Sequence, residues 1–463
     1  MKLSPFRALN HYGMGGSSQD LSRVAGASTD WMLEQIQDKS SPLIPKLTPS
    51  SQHVAEYMAF RELQNESKRS ARDDQDKLMR VIEAGQAFNA KVRSSITENF
   101  GRRFEHSINT VLPLKERFAL FWSNHFCISR IGRAHYRSAG SAYENETIRA
   151  NLNGSFAQML LAVASHPVML IFLDNFQSVG PNTHIGVKSR RGLNENFARE
   201  LLELHTLGVD GGYTQNDVRA LAKILTGWTV NKFDAEEEGK FYFDDTIHES
   251  GTHRLLGKAY KDSGYEQGVL ALHHLAGHPS TARHIADKLI RHFVSDVPKA
   301  EDVAVVEHAF LQSEGDLPTV HEAVCMLKNG WNVTNRKLRT PYEFLVAVYR
   351  GLEIDSLNFA MGGDVQHLQT TLKTLNHEPF TAPSPAGWGD TAEFWNSPTA
   401  IKQRMEWGVA MGAKHGNQYA AIDIIQYMLG PKDAKALVPA IRAAASPSQA
   451  LALLLASPNL QWR

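Results

Sequence analysis

Cysteine is nearly missing from this chain: two residues, Cys127 and Cys325, occur in 463, and no Cys-x-x-Cys pair is present. That excludes a structural zinc site of the thiolate type and a thioredoxin-like redox site. The two thiols are expected to be free and buried. A bias of charge is missing as well, since Lys plus Arg and Asp plus Glu each total 49. Binding a phosphate backbone needs a basic excess or patch, so no nucleic-acid partner is expected. Long apolar runs are absent. The longest, Met159 to Leu173, is broken by His166-Pro167 and is too short to span a bilayer. Met1 to Ser18 lacks the apolar core of a secretory signal, so the expected location is the cytoplasm unless the true start lies upstream. There is no Gly-x-Ser-x-Gly elbow, P-loop or dinucleotide fingerprint. Residues 209–217 (VDGGYTQND) lack the alternating acidic ligands and the closing Glu of a calcium loop.

What is present is helix. Apolar residues recur at three- and four-residue spacing over 30–39, 53–64, 76–98, 114–125, 144–165, 194–207, 215–226, 266–276, 280–293, 300–312 and 317–328. Further helices are expected at 341–351, 398–413, 420–428 and 433–457. The best strand signal is Lys240 to Asp244 (KFYFD), which predicts a minor two-stranded β element near 240–260. The expected fold is therefore mainly α, a multi-helix globular body. Three segments are expected: an N-terminal one over 1–110, a central body with the candidate site over 111–300, and a C-terminal one over 301–463. Gly, Pro and Ser clusters mark loops at 40–52, 176–192, 229–263 and 376–399. The 176–192 loop is long for a connection, which suggests a functional role. His166-Pro167 and His278-Pro279 read as a repeated helix-boundary device.

The 194–207 segment can be read residue by residue. Asn194 is a suitable N-cap and Gly208 a suitable stop. At roughly 100° per residue, Phe197, Ala198, Leu201, Leu202 and Leu204 share one face, and Glu195, Asn196, Arg199, Glu200 and Glu203 share the other. His205 falls on the apolar side. Thr214 and Asp217 form a capping box for the next helix, which ends at Gly227.

Residues 194–228 (NENFARELLELHTLGVDGGYTQNDVRALAKILTGW) resemble the central motif of the bacterial family known as domain of unknown function 1800. RALNHYGMGG (7–16), FALFWSNHF (118–126), SHPVMLIFLDN (165–175), HHLAGHPSTARHIADKLIRHFVSD (273–296), and PSPAGWGD with WNSP (383–398) are similar to its other signatures. The resemblance covers nearly the whole chain. It departs at His11, where Arg is commoner, and at His248-Glu249 with His253, where the family often has His-Asp followed by Lys. Many relatives look exported, and this chain shows no leader. The resemblance implies a mainly helical fold with functional residues in the central motif. The family has no settled activity, so no reaction is implied.

Glu195, Glu200 and Glu203 gather three carboxylates on one helix face with Arg199, where paired carboxylates can bind a metal or divide acid and base roles. On an isolated helix such a face is more often a solvated row of ion pairs. Histidine is the usual neutral-pH base and the commonest metal ligand. The sharpest expectation is a hydrolase-type enzyme, metal-assisted or not. Glu200, Glu203, His125 and His205 would be its catalytic groups, and Arg199 would orient an anionic group. Asn194, Glu195, Asn196, His248, Trp228 and Asp174 are expected to line the binding region. Were a divalent metal the cofactor, His125, Glu203 and His205 would be its ligands. The competing expectation is a non-catalytic binding or assembly protein. Trp122, Trp228, Trp388 and Trp395 are more readily read as core or loop anchors than as a sugar-stacking surface. The substrate and the partner stay open at this level.

Overall fold

The computed structural model describes residues 3–70, 75–129, 136–189, 192–232, 234, 236–332 and 334–463. The fold is mainly α with a minor β element. Trp228–Val230 pairs antiparallel with Phe241–Phe243, and His253–Leu255 pairs antiparallel with Lys258–Tyr260. The expected KFYFD strand thus forms, but its partner begins right after Gly227, and the irregular 229–263 region holds two small sheets rather than one. No helix among the described residues is long and apolar enough to cross a membrane.

Local sequence explains most helix boundaries. The Thr214–Asp217 capping box opens the helix Gln215–Ile224. His166 and His278 are both N-caps: each Nδ1 accepts a backbone N–H, from Val168 at 3.2 Å and from Ser280 at 3.1 Å, and Pro follows at the first helical position. The expected 144–165 helix is not continuous. A π turn, Glu144–Ile148, and a 3₁₀ turn, Arg149–Asn151, precede a fresh helix, Phe156–Ala164. That helix is opened by a Ser155–Gln158 capping box inside what reads as one apolar run. Likewise the expected 420–428 and 433–457 helices are divided differently. Ala421–Arg442 runs through a kink at Gly430, and Pro447–Leu455 starts anew behind the Ser446 cap. Gly430 has φ +78°, and a Cβ there would lie 2.7 Å from the Phe6 ring, so only glycine fits.

Two apolar cores form. The larger draws on Leu3–Tyr57 and Leu114–Leu327, and the smaller joins Phe100, Phe104 and Ile108 to Tyr342–Leu460. Between them lies a buried ionic network. Arg149, fully buried, pairs with Glu116 at 2.6 Å and with Glu144 at 2.8 Å. Glu144 also takes Arg103 at 2.8 Å, and Ser123 donates to it at 2.7 Å. Burial pushes the Glu116 and Glu144 carboxyls up, but the facing guanidiniums outweigh it and hold both below the ordinary carboxylate range. The network ties the helix Gln75–Asn109 to Pro113–His125 and to the 144–151 turns. Replacing Arg149 with Met takes from Glu116 its guanidinium partner and leaves Glu144 with Arg103 and Ser123, and is expected to cost about 3–5 kcal/mol in urea unfolding. Glu98→Gln, which breaks the exposed 2.6 Å pair with Arg102, is expected to change stability by under about 1 kcal/mol in the same assay.

Candidate functional site

The central motif does not finish as a simple helix. Asn196–Glu200 is α-helical, then Leu201–His205 widens into a π turn. Thr206 Oγ1 donates back to Leu201 O at 2.6 Å, and Gly208, at φ +85°, closes the turn. A Cβ on Gly208 would lie 2.8 Å from His284 Nδ1, so the glycine lets that imidazole approach. The last carbonyls of the turn are met by imidazoles from other helices. His125 Nε2–H donates to His205 O at 3.1 Å, and His284 Nε2–H donates to Leu204 O at 3.1 Å. The His125 ring centroid lies 6.1 Å from that of His205 and 6.2 Å from that of His284. His125 and His205 are buried, and His125 Nδ1 and both His205 nitrogens have no hydrogen-bond partner.

Lys288 completes this group. It stands one helical turn from His284 and one from His292 on Pro279–Phe293, so the three share a face. Burial lowers Lys288 to about 8, against the pull of Asp390 and Cys127. Burial lowers His205 to about 3 and His284 to about 4, and Lys288 adds repulsion to both. Burial, then Lys288 and His205, hold His125 well below the ordinary imidazole range. His292 Nδ1–H donates to Asp390 at 2.7 Å, which carries the titratable row onto the 383–390 loop. The Cys127 thiol is pushed up to about 12 by burial, so it stays protonated; both cysteines are free and buried.

The residues singled out from the sequence separate into several neighbourhoods. Glu195 faces outward, paired with Arg219 at 3.1 Å and Arg199 at 3.6 Å; Gln215 donates to it and in turn accepts from Arg199 at 2.8 Å. Asn194 Oδ1 accepts from Asn196 N at 2.9 Å, and Asn194 Nδ2 donates to Asp174 O at 3.2 Å. The N-cap is Glu195 rather than the expected Asn194, which stands one residue earlier and pins the loop end, while Asp174 sits at φ +61°. Glu200 and Glu203 are half-buried. Tyr213 donates to Glu203 at 3.2 Å, and burial with the Glu203 charge raises the Glu200 carboxyl. Trp228 is a core residue stacked on Tyr265 at 5.2 Å. His248 Nδ1–H donates to Thr226 O at 2.8 Å, and its Nε2 lies 3.7 Å from Asp262, in a separate cluster. Among the described residues, no group of three or more His, Cys, Asp or Glu side chains is arranged to hold a metal ion. The expected His125, Glu203 and His205 ligand set is therefore not gathered: Glu203 turns to Tyr213, while His205, two residues on, turns inward.

The 176–192 loop is clasped by Glu249, which accepts from Asn182 N at 3.0 Å, and Gly180 N donates to Ile247 O at 2.9 Å. The cavities lie elsewhere. One of about 630 Å³ is walled by Trp388, Trp395, Phe394, Leu375, Lys373 and Glu378. A chamber of about 60 Å³, lined by Arg103, Ser123, Asn124, Cys127, His377 and Trp388, shares the Trp388 wall and touches the titratable row at Cys127. Trp122 and Trp228 are buried apart from Trp388 and Trp395, so the four tryptophans make no common surface. Lys288 went unnoticed in the sequence. Its signal was available, because His284, Lys288 and His292 recur every four residues in HIADKLIRHF.

These imidazoles make the fold acid-sensitive. Their folded pKa values lie below the ordinary 6.5, so the unfolded chain binds more protons and stability falls as pH drops from about 6.5 towards 3–4. Each titrating imidazole contributes up to about 1.4 kcal/mol per pH unit in that window. Urea midpoints at pH 7, 6 and 5 should decline, and His205→Gln should make the decline shallower; an unchanged slope would remove His205 from the account.

No curated protein and no solved structure matches the chain. A family model described as Protein of unknown function (DUF1800) matches residues 7–462. With nearly the full length matched, the central motif, the His-Pro caps and the Trp388 loop lie within one family pattern, and the chain belongs to the DUF1800 family.

Proposed function

We propose that the chain is a hydrolase-type enzyme working by proton transfer through the His125–His205–His284–Lys288 group, with substrate seated in the aromatic-walled cavity that shares Trp388 with the small chamber at Cys127. One observation carries this reading: unpartnered nitrogens of buried imidazoles stand beside a lysine held near neutrality. Buried polar atoms are almost always bonded, so each exception calls for an explanation, and strongly shifted titratable groups cluster at functional sites. A group with a pKa near the working pH is the most effective general acid or base. In this reading Lys288 takes and returns the proton, and the neutral imidazoles of His125 and His205 hold its path. Glu200 and Glu203 support the turn that presents His205, and no metal enters a step. The approach runs past Trp388, whose backbone is fixed by Asn124: Nδ2 donates to Trp388 O at 3.0 Å, and Oδ1 accepts from Trp388 N at 2.8 Å. The larger cavity supplies room and an aromatic wall, and the chamber behind Trp388 supplies the shifted groups Cys127 and His377, a combination that fits an enzyme site.

The competing reading, a binding or assembly protein, draws support from the outer face of the central motif, where Glu195, Arg199, Gln215 and Arg219 satisfy one another. Chromogenic esters, phosphate esters, glycosides and peptides separate the two. The expected result is turnover of one class, reduced about 100-fold or more in Lys288→Met and in His205→Gln. It should be unchanged in Arg219→Ala. The pH profile of kcat/KM should carry a limb near 8 that vanishes in Lys288→Met. Turnover of no class, or equal turnover in all the variants, would leave the binding reading.

A further inference from the structure

A second cavity, of about 570 Å³, opens where the first residues of the described chain meet the last. Its walls include Arg7, His11, Arg336, Lys432 and Arg463, with Asp433 as the one carboxylate. Behind them Arg117, Arg339 and Arg404 are buried and bonded to the same backbone. These guanidiniums are held mainly by neutral oxygens. Arg7 donates to Gly330 O at 3.1 and 3.0 Å and to Asn335 O. Arg339 donates to Asn10 Oδ1 at 2.6 Å, and Arg404 to Arg339 O at 2.8 Å. Arg463 donates to His11 O at 3.0 Å and His292 O at 2.9 Å. Among the described side chains that pair with them, Glu343, shared by Arg117 and Arg463, and Asp433, paired with Arg336, bring negative charge. Among the described residues, seven cationic side chains therefore meet two carboxylate side chains.

Carbonyl dipoles solvate a cation but do not neutralise it, and uncompensated buried charge is costly. Burial and neighbouring cations lower Arg7 to about 10 and Arg117 to about 9, and burial lowers Arg339 and Arg404 to about 10. His11 points to the same gap independently. It sits on the π turn Ala8–Tyr12, is 0 % exposed, lines the cavity, and has no hydrogen-bond partner on either nitrogen. Arg404 Nε and Nη2 are likewise buried and unpartnered. Phe6, Leu21, Leu429 and Trp462 give the cavity an apolar wall, beside the neutral polar side chains of Asn10, Gln426 and Asn459.

We propose that this cavity binds an organic anion with an apolar body, its carboxylate or phosphate head drawn in by Arg7, Arg336 and Arg463 and met by His11 and the guanidinium N–H groups not already given to backbone carbonyls, and its body lying along Phe6, Leu21 and Trp462. The site is separate from the Lys288 group, and the inference does not rest on the enzymatic reading. Charge-assisted N–H bonds suit either head, and a cavity of this size suits a small amphiphile.

The test is thermal unfolding and calorimetry of the full chain at near-physiological salt with four probes: decanoate, decyl phosphate, decanol and inorganic phosphate. A ligand bound only by the folded state raises the melting temperature. The expected result is a rise with decanoate, decyl phosphate or both, with a Kd below about 1 mM, and a much smaller rise with decanol and inorganic phosphate. Which of the two anions binds tighter identifies the head. Arg336→Gln, at the rim, should weaken binding about tenfold while leaving the fold intact, and His11→Gln should weaken it further. Equal effects of decanol would show a merely apolar hole, and equal effects of inorganic phosphate would show an apolar wall that is not used. Either result, or no binding of both anionic amphiphiles, or undiminished binding in Arg336→Gln, overturns the proposal.

Discussion

The pairing of Glu116 and Glu144 with Arg149 and Arg103 constrains everything else. A carboxylate taken out of water costs several kcal/mol, and only close guanidinium partners offset it. With both carboxylates fully buried, the helices that supply the partners have one workable registration. The helix Pro113–His125 is held along its length, because it carries Glu116 into this network, Arg117 to Glu343 and to the Tyr12 and Gly13 carbonyls, and His125 to the π turn. The position of His125 is therefore set by ionic contacts made two and three helical turns away. An apolar core alone tolerates small slides between helices; a buried bidentate pair does not.

Three π turns, Ala8–Tyr12, Glu144–Ile148 and Leu201–His205, occur among the described residues. Such turns are rare and collect at functional positions. Each carries a buried titratable residue: His11, Glu144 and His205. The widened turn rotates its later residues relative to an α-helix, which sends a polar side chain inward from a segment whose pattern is otherwise amphipathic. At the third turn it also leaves carbonyls to be satisfied, and His125 and His284 act as their donors. The imidazoles are thereby fixed in one tautomer, with Nδ1 free.

Much of the fold was legible because helix spacing and capping are local. The Thr214–Asp217 box, the His166-Pro167 and His278-Pro279 boundaries and the 300–312 and 341–351 helices follow from neighbours within four residues. The 144–165 segment was misread because its π turn is stabilised by partners far along the chain, Arg103 and Glu116, which no local pattern reports. The candidate site was half legible. His125 and His205 do meet, since both belong to specific motifs on apolar faces. Glu203 goes elsewhere because helical-wheel reasoning assumes 3.6 residues per turn, and the π turn changes the angle between residues 203 and 205. Lys288 was masked by its charge, since a lysine on an amphipathic helix is ordinarily solvated.

The charge balance of the chain hides a local separation. Equal totals of acidic and basic residues describe the sum, not the interior. Within the interior, two solutions to buried cations stand side by side. Around Arg149 each guanidinium faces carboxylates, the charges cancel, and the site is rigid and closed. Around Arg7, Arg339 and Arg404 the guanidiniums face carbonyls and amides, the charges add, and a cavity opens beside them. A fold able to build the first arrangement had the means to neutralise the second. Buried positive charge left facing dipoles, with an unpartnered imidazole on the same wall, is therefore best understood as a place kept for a negative group from outside the chain.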